Sequence, residues 1–447
     1  MAAKQSQGAK DKALVDLAEA YVGAFDRALV RTDEDFRAVL GMRGNGFSSG
    51  QSGTIEFTDE LVAAARSLTT RALTVFGHGR VHERTVDEAA RNTTFPLVGS
   101  RAPREIAKAI TTELEEIATS QHTTVRPNHL FRLDRGVDDV RIGPIRIIRR
   151  EILGRELAAD HPYLSIEAAS PGGSSLAFER SDDTSRTIAF LPPICWMVTL
   201  KGMPKALELQ ALWMVDMATS FIRLQYRSRP GLFPNLGDVE PHPIYPSAWD
   251  AQGFVIRPDG VYGGGQEQSP WYEIDHEFAA TLGSAEIVEK LEQLLDPETD
   301  TLAERLQQAL GWLTRGRRAT EPAERQLLFS TAIESMLTPK GTTGAITETI
   351  ARLAGAVWTV DLANRAALSK GIKDLYAIRS RIAHRGERAV ATPQTNTAHM
   401  IAWNLAHLIL KKGDLQQPHV DFIAELTEAS FGTPWRAEAF KATPIDP

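Results

Sequence analysis

Apolar residues in the N-terminal part of the chain, residues 11–121, recur at the spacing of amphipathic helices. The first predicted helix has an apolar face that consists of Leu14, Leu17, Tyr21 and Phe25. Residues 61–76 and 106–117 repeat the pattern and predict two further helices. Residues 41–53 are rich in Gly and Ser, so we predict a loop between the first two helices. This part of the chain is therefore predicted to be mainly helical.

The next part of the chain is rich in β-branched and alternating residues, which favour strands. The predicted strands are residues 142–153, 165–168, 174–178 and 187–200. Pro171-Gly172-Gly173 is a turn signal between two of them. Pro204 then opens a strong predicted helix at residues 207–226. Residues 229–275 contain many Pro, Gly and aromatic residues and predict loops with short strands.

Helical periodicity returns at residue 279 and continues through most of the remaining chain. A predicted helix at 279–295 ends at Asp296-Pro297, and Thr301 with Glu304 predicts a capping box for the next helix. The later helices are predicted at residues 301–315, 322–337, 345–358, 361–384, 394–411 and 419–430. Their short connections favour an up-and-down bundle in a protein of the α+β class. The predicted regions are a helical region at 1–121, an α+β region at 122–295 and a helical bundle at 296–435.

Composition narrows the class of protein. The chain has 447 residues, 43% of them hydrophobic and 24% charged, which is typical of a globular protein of two or three domains. Its net charge of −7 argues against a generally basic nucleic-acid coat, so any nucleic acid must meet a local patch. The single cysteine, Cys195, excludes an internal disulfide. The polar start of the chain predicts no signal peptide, and no apolar run reaches the roughly 20 residues that cross a bilayer. We therefore expect a cytoplasmic protein without a membrane partner.

An arginine occupies an apolar stripe of the predicted helix 361–384. The apolar positions of this stripe are Leu368, Ile372, Leu375 and Ile382. Arg379 fills the remaining slot, and a guanidinium keeps its charge. Burying it unpaired costs several kcal/mol by order of magnitude, so Arg379 must pair with a carboxylate, line a wet cleft or meet an anion. His384 follows five residues later and titrates near neutral pH. An anion clamp beside a proton-transfer group suits phosphodiester chemistry.

Further candidates lie on the same predicted helix and on two earlier helices of the predicted bundle. Glu334, at the edge of an apolar face of the helix 322–337, could pair with Arg379 or orient His384. Tyr376 could stack on a base or bind a phosphate, or it could belong to the core. The window 371–390 contains five Lys or Arg residues against two acidic residues. A second basic cluster consists of Arg315, Arg317 and Arg318. Such local excess suits phosphate binding, and a solvated helix end with favourable C-terminal charge is the alternative.

From about residue 300 onward the chain resembles an Apea-like HEPN domain, a helical module of prokaryotic antiviral and toxin systems. The first helix contributes Trp312, and the second contributes Ala332-Ile333-Glu334. The long helix contributes the run Leu375-Tyr376-Ala377-Ile378-Arg379-Ser380, and His384 and Gly386 complete the signature. The resemblance covers about 130 of the 447 residues and includes none of the first 290 or so.

The resemblance implies a metal-independent endoribonuclease that uses no cofactor. The RNA's own 2′-hydroxyl would attack the adjacent phosphate, while His384 transfers protons and Arg379 stabilises charge on the phosphoryl oxygens. Glu334 would join them as the acidic residue from a neighbouring helix. The residues expected to bind RNA are Tyr376, Ser380, Arg381 and Arg385.

The resemblance also implies partners. The active cleft of such enzymes forms at the interface of a symmetric homodimer. The protein would act in antiphage defence by abortive infection, or as a toxin, and its N-terminal region would bind a phage-derived or host trigger. Two alternatives stay open: an inactive HEPN scaffold whose N-terminal region binds a ligand or partner, and a regulator that holds RNA without cleaving it.

Overall fold

The computed structural model describes residues 11–436 except for 31–46, 51–52, 78, 129, 161–163, 170–172, 180–185, 192, 227–253, 258–259, 264–271, 320, 342–344 and 360. The chain divides into two compact units. The first consists of Met1–Thr124 and Thr199–Leu212, and the second of Val125–Val198 and Trp213–Pro447. The three-region division at residues 121 and 295 stays a prediction.

The first unit is a small helical bundle with an antiparallel sheet. Its helices are α1 (Lys12–Ala28), α2 (Asp59–Phe76), α3 (Glu83–Thr94) and α4 (Pro103–Thr119). Its strands are β1 (Leu29–Val30), β2 (Phe47–Gly50) and β3 (Gly53–Glu56), in the order β1-β3-β2. Tyr21, Phe25 and Ile110 are buried in its core. The three predicted helices are confirmed, and α3 is an additional helix of this region.

The predicted loop at residues 41–53 is wrong where the structure describes it. Residues 47–50 form a strand that pairs with β3, and residues 41–46 and 51–52 lie outside the described residues. The strand forms because Ile55 on β3 is buried in the core and anchors the hairpin. Gly and Ser have low strand propensity, so the composition of this stretch hides a strand that packing stabilises.

The second unit begins with strands and one helix. These elements include β4 (Gln121–Pro127), which starts in the first unit, β5 (Phe131–Leu133), β6 (Asp139–Ile142), β7 (Ile145–Arg149), α5 (Arg150–Asp160), β8 (Leu164–Ala169), β9 (Gly173–Glu179), β10 (Arg186–Leu191) and β11 (Ile194–Lys201). One sheet has the order β4-β11-β7-β6, and another has the order β10-β9-β8. The predicted strand 142–153 is wrong in part, because Gly143, in the left-handed region at φ 60°, turns the chain and helix α5 begins at Arg150. The predicted strand 187–200 is two strands, interrupted beside Pro193, which lacks the N–H that a ladder needs.

Three helices and three short strands lie between these sheets and the C-terminal bundle in the sequence. They are α6 (Pro204–Gln225), β12 (Phe254–Arg257), β13 (Gly260–Gly263), β14 (Tyr272–Ile274), α7 (His276–Leu282) and α8 (Ala285–Leu295). Strand β14 pairs in parallel with β5, and β12 pairs with β13. Helix α6 confirms the predicted helix at residues 207–226. The single helix predicted at 279–295 is wrong, because Gly283 ends α7 and a new helix, α8, begins after Ser284.

Six helices form the C-terminal bundle. They are α9 (Leu302–Arg318), α10 (Pro322–Leu337), α11 (Ile346–Trp358), α12 (Leu362–Arg385), α13 (Thr392–Lys412) and α14 (His419–Ala429). All six were predicted and are confirmed, with Pro322 in the first turn of α10 and Gly386 capping α12 at φ 66°. Helix α9 packs against α10, α11 against α12, and α10 also contacts α12 and α13. The protein is therefore mostly helical with small sheets, in the α+β class.

The first and last helices of the bundle are joined at their N-terminal ends. The Leu302 N–H donates to the Gln417 carbonyl at 3.0 Å, and the His419 N–H donates to the Asp300 carbonyl at 2.8 Å. The Thr301 hydroxyl caps α9, as predicted, by accepting a hydrogen bond from the Glu304 N–H. The Glu304 carboxylate instead accepts from the N–H of Asp300, one residue earlier than a capping box requires.

Candidate functional site

Arg379 lies at the edge of the buried stripe of α12 and not within it. The buried apolar residues of the stripe are Ile372, Leu375, Ile378 and Ile382. Ile378 takes the slot that the sequence pattern assigned to Arg379, and the Arg379 side chain is 36% exposed. Placing Arg379 in the stripe was therefore wrong by one position. Its guanidinium keeps access to solvent.

A carboxylate from the neighbouring helix holds Arg379. The Nε atom of Arg379 lies 3.4 Å from Oε1 of Glu334, whose side chain is 25% exposed. The two residues meet because α10 packs against α12. The predicted pairing of Glu334 with Arg379 is thus confirmed. An ion pair with this exposure contributes no more than about 1 kcal/mol to stability, so it serves mainly to position the guanidinium.

Tyr376 lies one turn before Arg379 and is buried. Its hydroxyl makes no hydrogen bond of normal geometry with the described residues. Burial first, and then the negative charge of Glu334, raise the pKa of the Tyr376 phenol, while Arg379 lowers it. The phenol therefore stays protonated at neutral pH beside the Glu334 carboxylate. Its buried ring belongs to the core and is not placed to stack on a base.

His384 lies in the last turn of α12, which ends one residue later than predicted, at Arg385. Its side chain is exposed. Five positions on an ideal helix separate two side chains by about 140° in rotation and roughly 7.5 Å in height. Because α12 stays helical through His384, Arg379 and His384 of one chain point in different directions. One chain therefore does not bring the two groups onto one face.

The basic residues predicted to bind RNA differ in how far a neighbouring carboxylate compensates their charge. Ser380 and Arg385 are exposed. The Nε atom of Arg381 donates to Oε2 of Glu387 at 2.8 Å, so part of its charge is compensated. Lys373 pairs with Glu348. Among the described residues Arg385 has no carboxylate partner, so its charge is the least compensated of the basic side chains at this helix end.

The second basic cluster is an internal network. The buried carboxylate of Asp216 on α6 accepts hydrogen bonds from Arg315, at 2.9 Å, and from Arg318. The Arg315 guanidinium also lies over the ring of Trp213, 4.6 Å from the ring centroid. Arg317 is buried, and its Nη1 lies 3.2 Å from Nε2 of His399. The suggestion that this cluster suits phosphate binding stays a prediction, and the contacts of Arg315 and Arg318 with Asp216 give both residues a structural role.

The sequence reasoning did not find the buried arginines Arg223 and Arg325. Arg223 follows Phe221 and Ile222 directly in a helix that is buried on almost every side. An arginine inside such an apolar run was the available signal.

No protein-family model, curated protein or solved structure matches the chain. Among the described residues no group of three His, Cys, Asp or Glu side chains is arranged to hold a metal ion. No described helix has the length and apolar character needed to cross a bilayer. The function is therefore inferred from the residues of this chain and their geometry.

Proposed function

We propose that the protein is a metal-independent HEPN-type endoribonuclease that acts in antiphage defence by abortive infection or as a toxin. One observation carries the proposal: Glu334 holds the half-exposed guanidinium of Arg379 on the helix whose last turn exposes His384. These are the three residues that the family resemblance assigns to the reaction. The buried Tyr376 side chain lies one helical turn before Arg379 on the same helix.

The reaction is an internal displacement at phosphorus. The 2′-oxygen of the RNA forms a bond to the adjacent phosphorus and loses its proton to a base. The bond from phosphorus to the 5′-oxygen breaks, and a general acid gives that oxygen a proton. The products are a 2′,3′-cyclic phosphate and a 5′-hydroxyl. His384 transfers a proton in this step, and the Arg379 guanidinium stabilises the charge that grows on the phosphoryl oxygens.

The helix geometry supports a dimeric site. Arg379 and His384 of one chain lie about 140° apart around α12, so a single copy does not present the two side chains on one face of the helix. In a symmetric dimer whose α12 helices lie side by side, the second copy brings its own Arg379 or His384 to the same cleft. We therefore propose a homodimer through the C-terminal bundle, with a phage-derived or host trigger bound by the N-terminal region.

The test is cleavage of total RNA in EDTA by the wild type, Arg379→Ala and His384→Ala. Matched controls are Arg135→Ala and His276→Ala, since both side chains are exposed in the same compact unit. Thermal melting first establishes that all variants fold. Cleavage by the wild type and both controls, and by neither site variant, is the expected result. Equal cleavage by His384→Ala and the wild type would rule the proposal out.

A scaffold without catalytic activity is the second candidate, and the engagement of Arg379 by Glu334 favours it. Glu334→Gln separates the two functions. In an enzyme this variant loses cleavage while its melting temperature changes little, because the pair is partly exposed. In a scaffold no variant cleaves RNA, with or without phage lysate as a source of trigger, and dimerisation persists in all of them.

A further inference from the structure

His384 shares one face of α12 with two arginines. Arg381 precedes it by three residues and Arg385 follows it directly, so the three side chains span about 100° of the helix. Side chains three or four positions apart are neighbours on a helix surface. His384 and Arg385 are exposed, and Arg381 is partly exposed. Within one chain, the basic side chains that share a face with His384 are therefore Arg381 and Arg385.

A carboxylate from the segment that follows α12 lies against Arg381. Oε2 of Glu387 accepts a hydrogen bond from Nε of Arg381 at 2.8 Å. The backbones of the same two residues also pair, since the Glu387 N–H donates to the Arg381 carbonyl at 3.4 Å. Gly386, in the left-handed region at φ 66°, turns the chain back at this point. Two contacts therefore hold Glu387 on Arg381.

Contacts beyond Glu387 hold the same segment on the bundle. Arg388 pairs with Glu321 at the start of α10. Val390 is buried in a small apolar cluster. The segment therefore stays attached to the bundle when the side-chain contact between Glu387 and Arg381 breaks.

We infer that Glu387 competes with an RNA phosphate for Arg381 and thereby sets how tightly the site holds RNA. The inference rests on the proposed function, because the ligand is the RNA of that site. A carboxylate and a phosphate both offer paired oxygens to a planar guanidinium. The side chains of Arg381 and Glu387 are 39% and 34% exposed, so a phosphate reaches the pair from solvent. An ion pair with this exposure is weak, and a phosphate therefore displaces the carboxylate at little cost.

The competition changes the number of phosphates that the site holds. Arg385 is exposed at the helix end and binds one phosphate without displacing a carboxylate. Arg381 lies one turn earlier on the same face, so it receives a neighbouring phosphate of the same strand once Glu387 turns away. Glu387 therefore removes one phosphate contact from the resting site, and a strand with several phosphates restores it.

The test is binding of a labelled 2′-O-methyl RNA, which lacks the attacking hydroxyl and so reports binding without cleavage. Fluorescence anisotropy over a range of salt concentrations gives the affinity and its salt slope for the wild type, Glu387→Gln and Glu286→Gln. The control Glu286→Gln removes the same charge from an exposed pair with Lys290 on α8. Glu387→Gln should bind up to about fivefold more tightly and steepen the salt slope by about 1. The control should match the wild type.

A second arm repeats the comparison in Arg381→Met. If Glu387 acts through Arg381, then Glu387→Gln changes neither affinity nor slope in this background. An equal gain in both backgrounds would show a general effect of the lost negative charge and overturn the inference. Equal affinity of Glu387→Gln and the wild type would overturn it as well.

The outcomes also separate this inference from the ribonuclease. A gain in Glu387→Gln that needs Arg381, without cleavage of natural RNA by any variant, would support the competition and remove the nuclease. Cleavage that depends on Arg379 and His384, with no gain in Glu387→Gln, would do the reverse. Absence of RNA binding in every variant would overturn both.

Discussion

The guanidinium of Arg365 on α12 donates a 2.7 Å hydrogen bond to the carbonyl of Ala429, the last residue of α14. It also donates to the carbonyls of Thr359 and Thr433, at 2.6 and 3.2 Å. A helix end leaves carbonyls without partners inside the helix, and the buried Arg365 side chain donates to two of these, at Thr359 and Ala429, and to Thr433 in the segment after α14. Arg365 therefore fastens the end of α14 to the start of α12.

We predict that Arg365→Met lowers the free energy of unfolding by about 1–3 kcal/mol, because it removes three hydrogen bonds donated by a buried guanidinium. Urea denaturation of the variant and wild type measures the change. Arg352→Met is the control, since Arg352 also donates to the C-terminal segment, at Ser430, but is exposed. The control should stay within about 0.5 kcal/mol of the wild type. Equal losses in both variants would show that burial of the arginine is unimportant.

Two helical glycines should respond to alanine with opposite signs. A Cβ atom at Gly316 on α9 would lie 2.6 Å from Cε1 of Phe329, which is buried. Gly316→Ala should therefore destabilise the protein by about 1–3 kcal/mol through overpacking. Gly371 on α12 has no atom within 4 Å of a new Cβ, so Gly371→Ala should stabilise it by roughly 0.5–1 kcal/mol through helix propensity. Melting temperatures of the two variants provide the check, and a fall in both would refute the packing argument.

Acid should remove one part of the stability of the second unit. Arg146 donates to Glu156 and Asp139, and its hydrogen bonds with Glu156 lower the pKa of that carboxyl below its ordinary 4.5. A carboxyl with a lowered folded-state pKa contributes stability above its unfolded-state pKa and loses it as pH falls through the folded-state value. The free energy of unfolding of wild type should therefore fall more steeply below pH 4.5 than that of Glu156→Gln.

Urea denaturation across this acidic range, with both proteins in the same buffers, measures the difference. The two curves should converge below the folded-state pKa of Glu156, where the carboxyl is protonated. Parallel curves at every pH would mean that the pair with Arg146 contributes nothing. The magnitude should be small, because the Glu156 side chain is partly exposed.

Arg385→Glu should weaken RNA binding more than Arg381→Glu does. Arg381 already shares its charge with Glu387, whereas Arg385 is exposed at the helix end. If Arg385 contacts a phosphate, its reversal should lower affinity and reduce the slope of log affinity against log salt by about 1. Fluorescence anisotropy of labelled RNA over a range of salt concentrations measures both. Equal slopes in the wild type and both variants would remove Arg385 from the RNA interface.

The C-terminal helices were predictable because local signals agree with packing there. Pro322, Gly386 and the apolar periodicity mark the same helix ends that the structure has. The exchange of Ile378 and Arg379 was not predictable, since neighbouring positions at the edge of a helical stripe differ by only about 100°. Which of them is buried depends on the partner helix, and the sequence of α12 alone does not contain that information.

The candidate site was predictable to the level of residue pairs. A carboxylate partner was one of three environments expected for Arg379, and Glu334 is that partner. The burial of Arg317 and Arg325 was not predictable, because it depends on how α9 and α10 pack and not on the pattern of either helix alone. The strand β2 was not predictable for a related reason: its own residues favour a loop, whereas its partner strand β3 contains the buried Ile55.

The hydrogen bonds that join the start of α9 to the start of α14 constrain the timing of folding during synthesis. The Leu302 N–H has its acceptor at Gln417, so the first bundle helix leaves the ribosome long before the residue that completes its N-terminal end. Contacts this far apart in sequence form late, after the intervening chain has been made. The bundle therefore closes only after α14 has been translated, and a ribosome that stops short of α14 releases a product in which the N-terminal end of α9 lacks these hydrogen bonds.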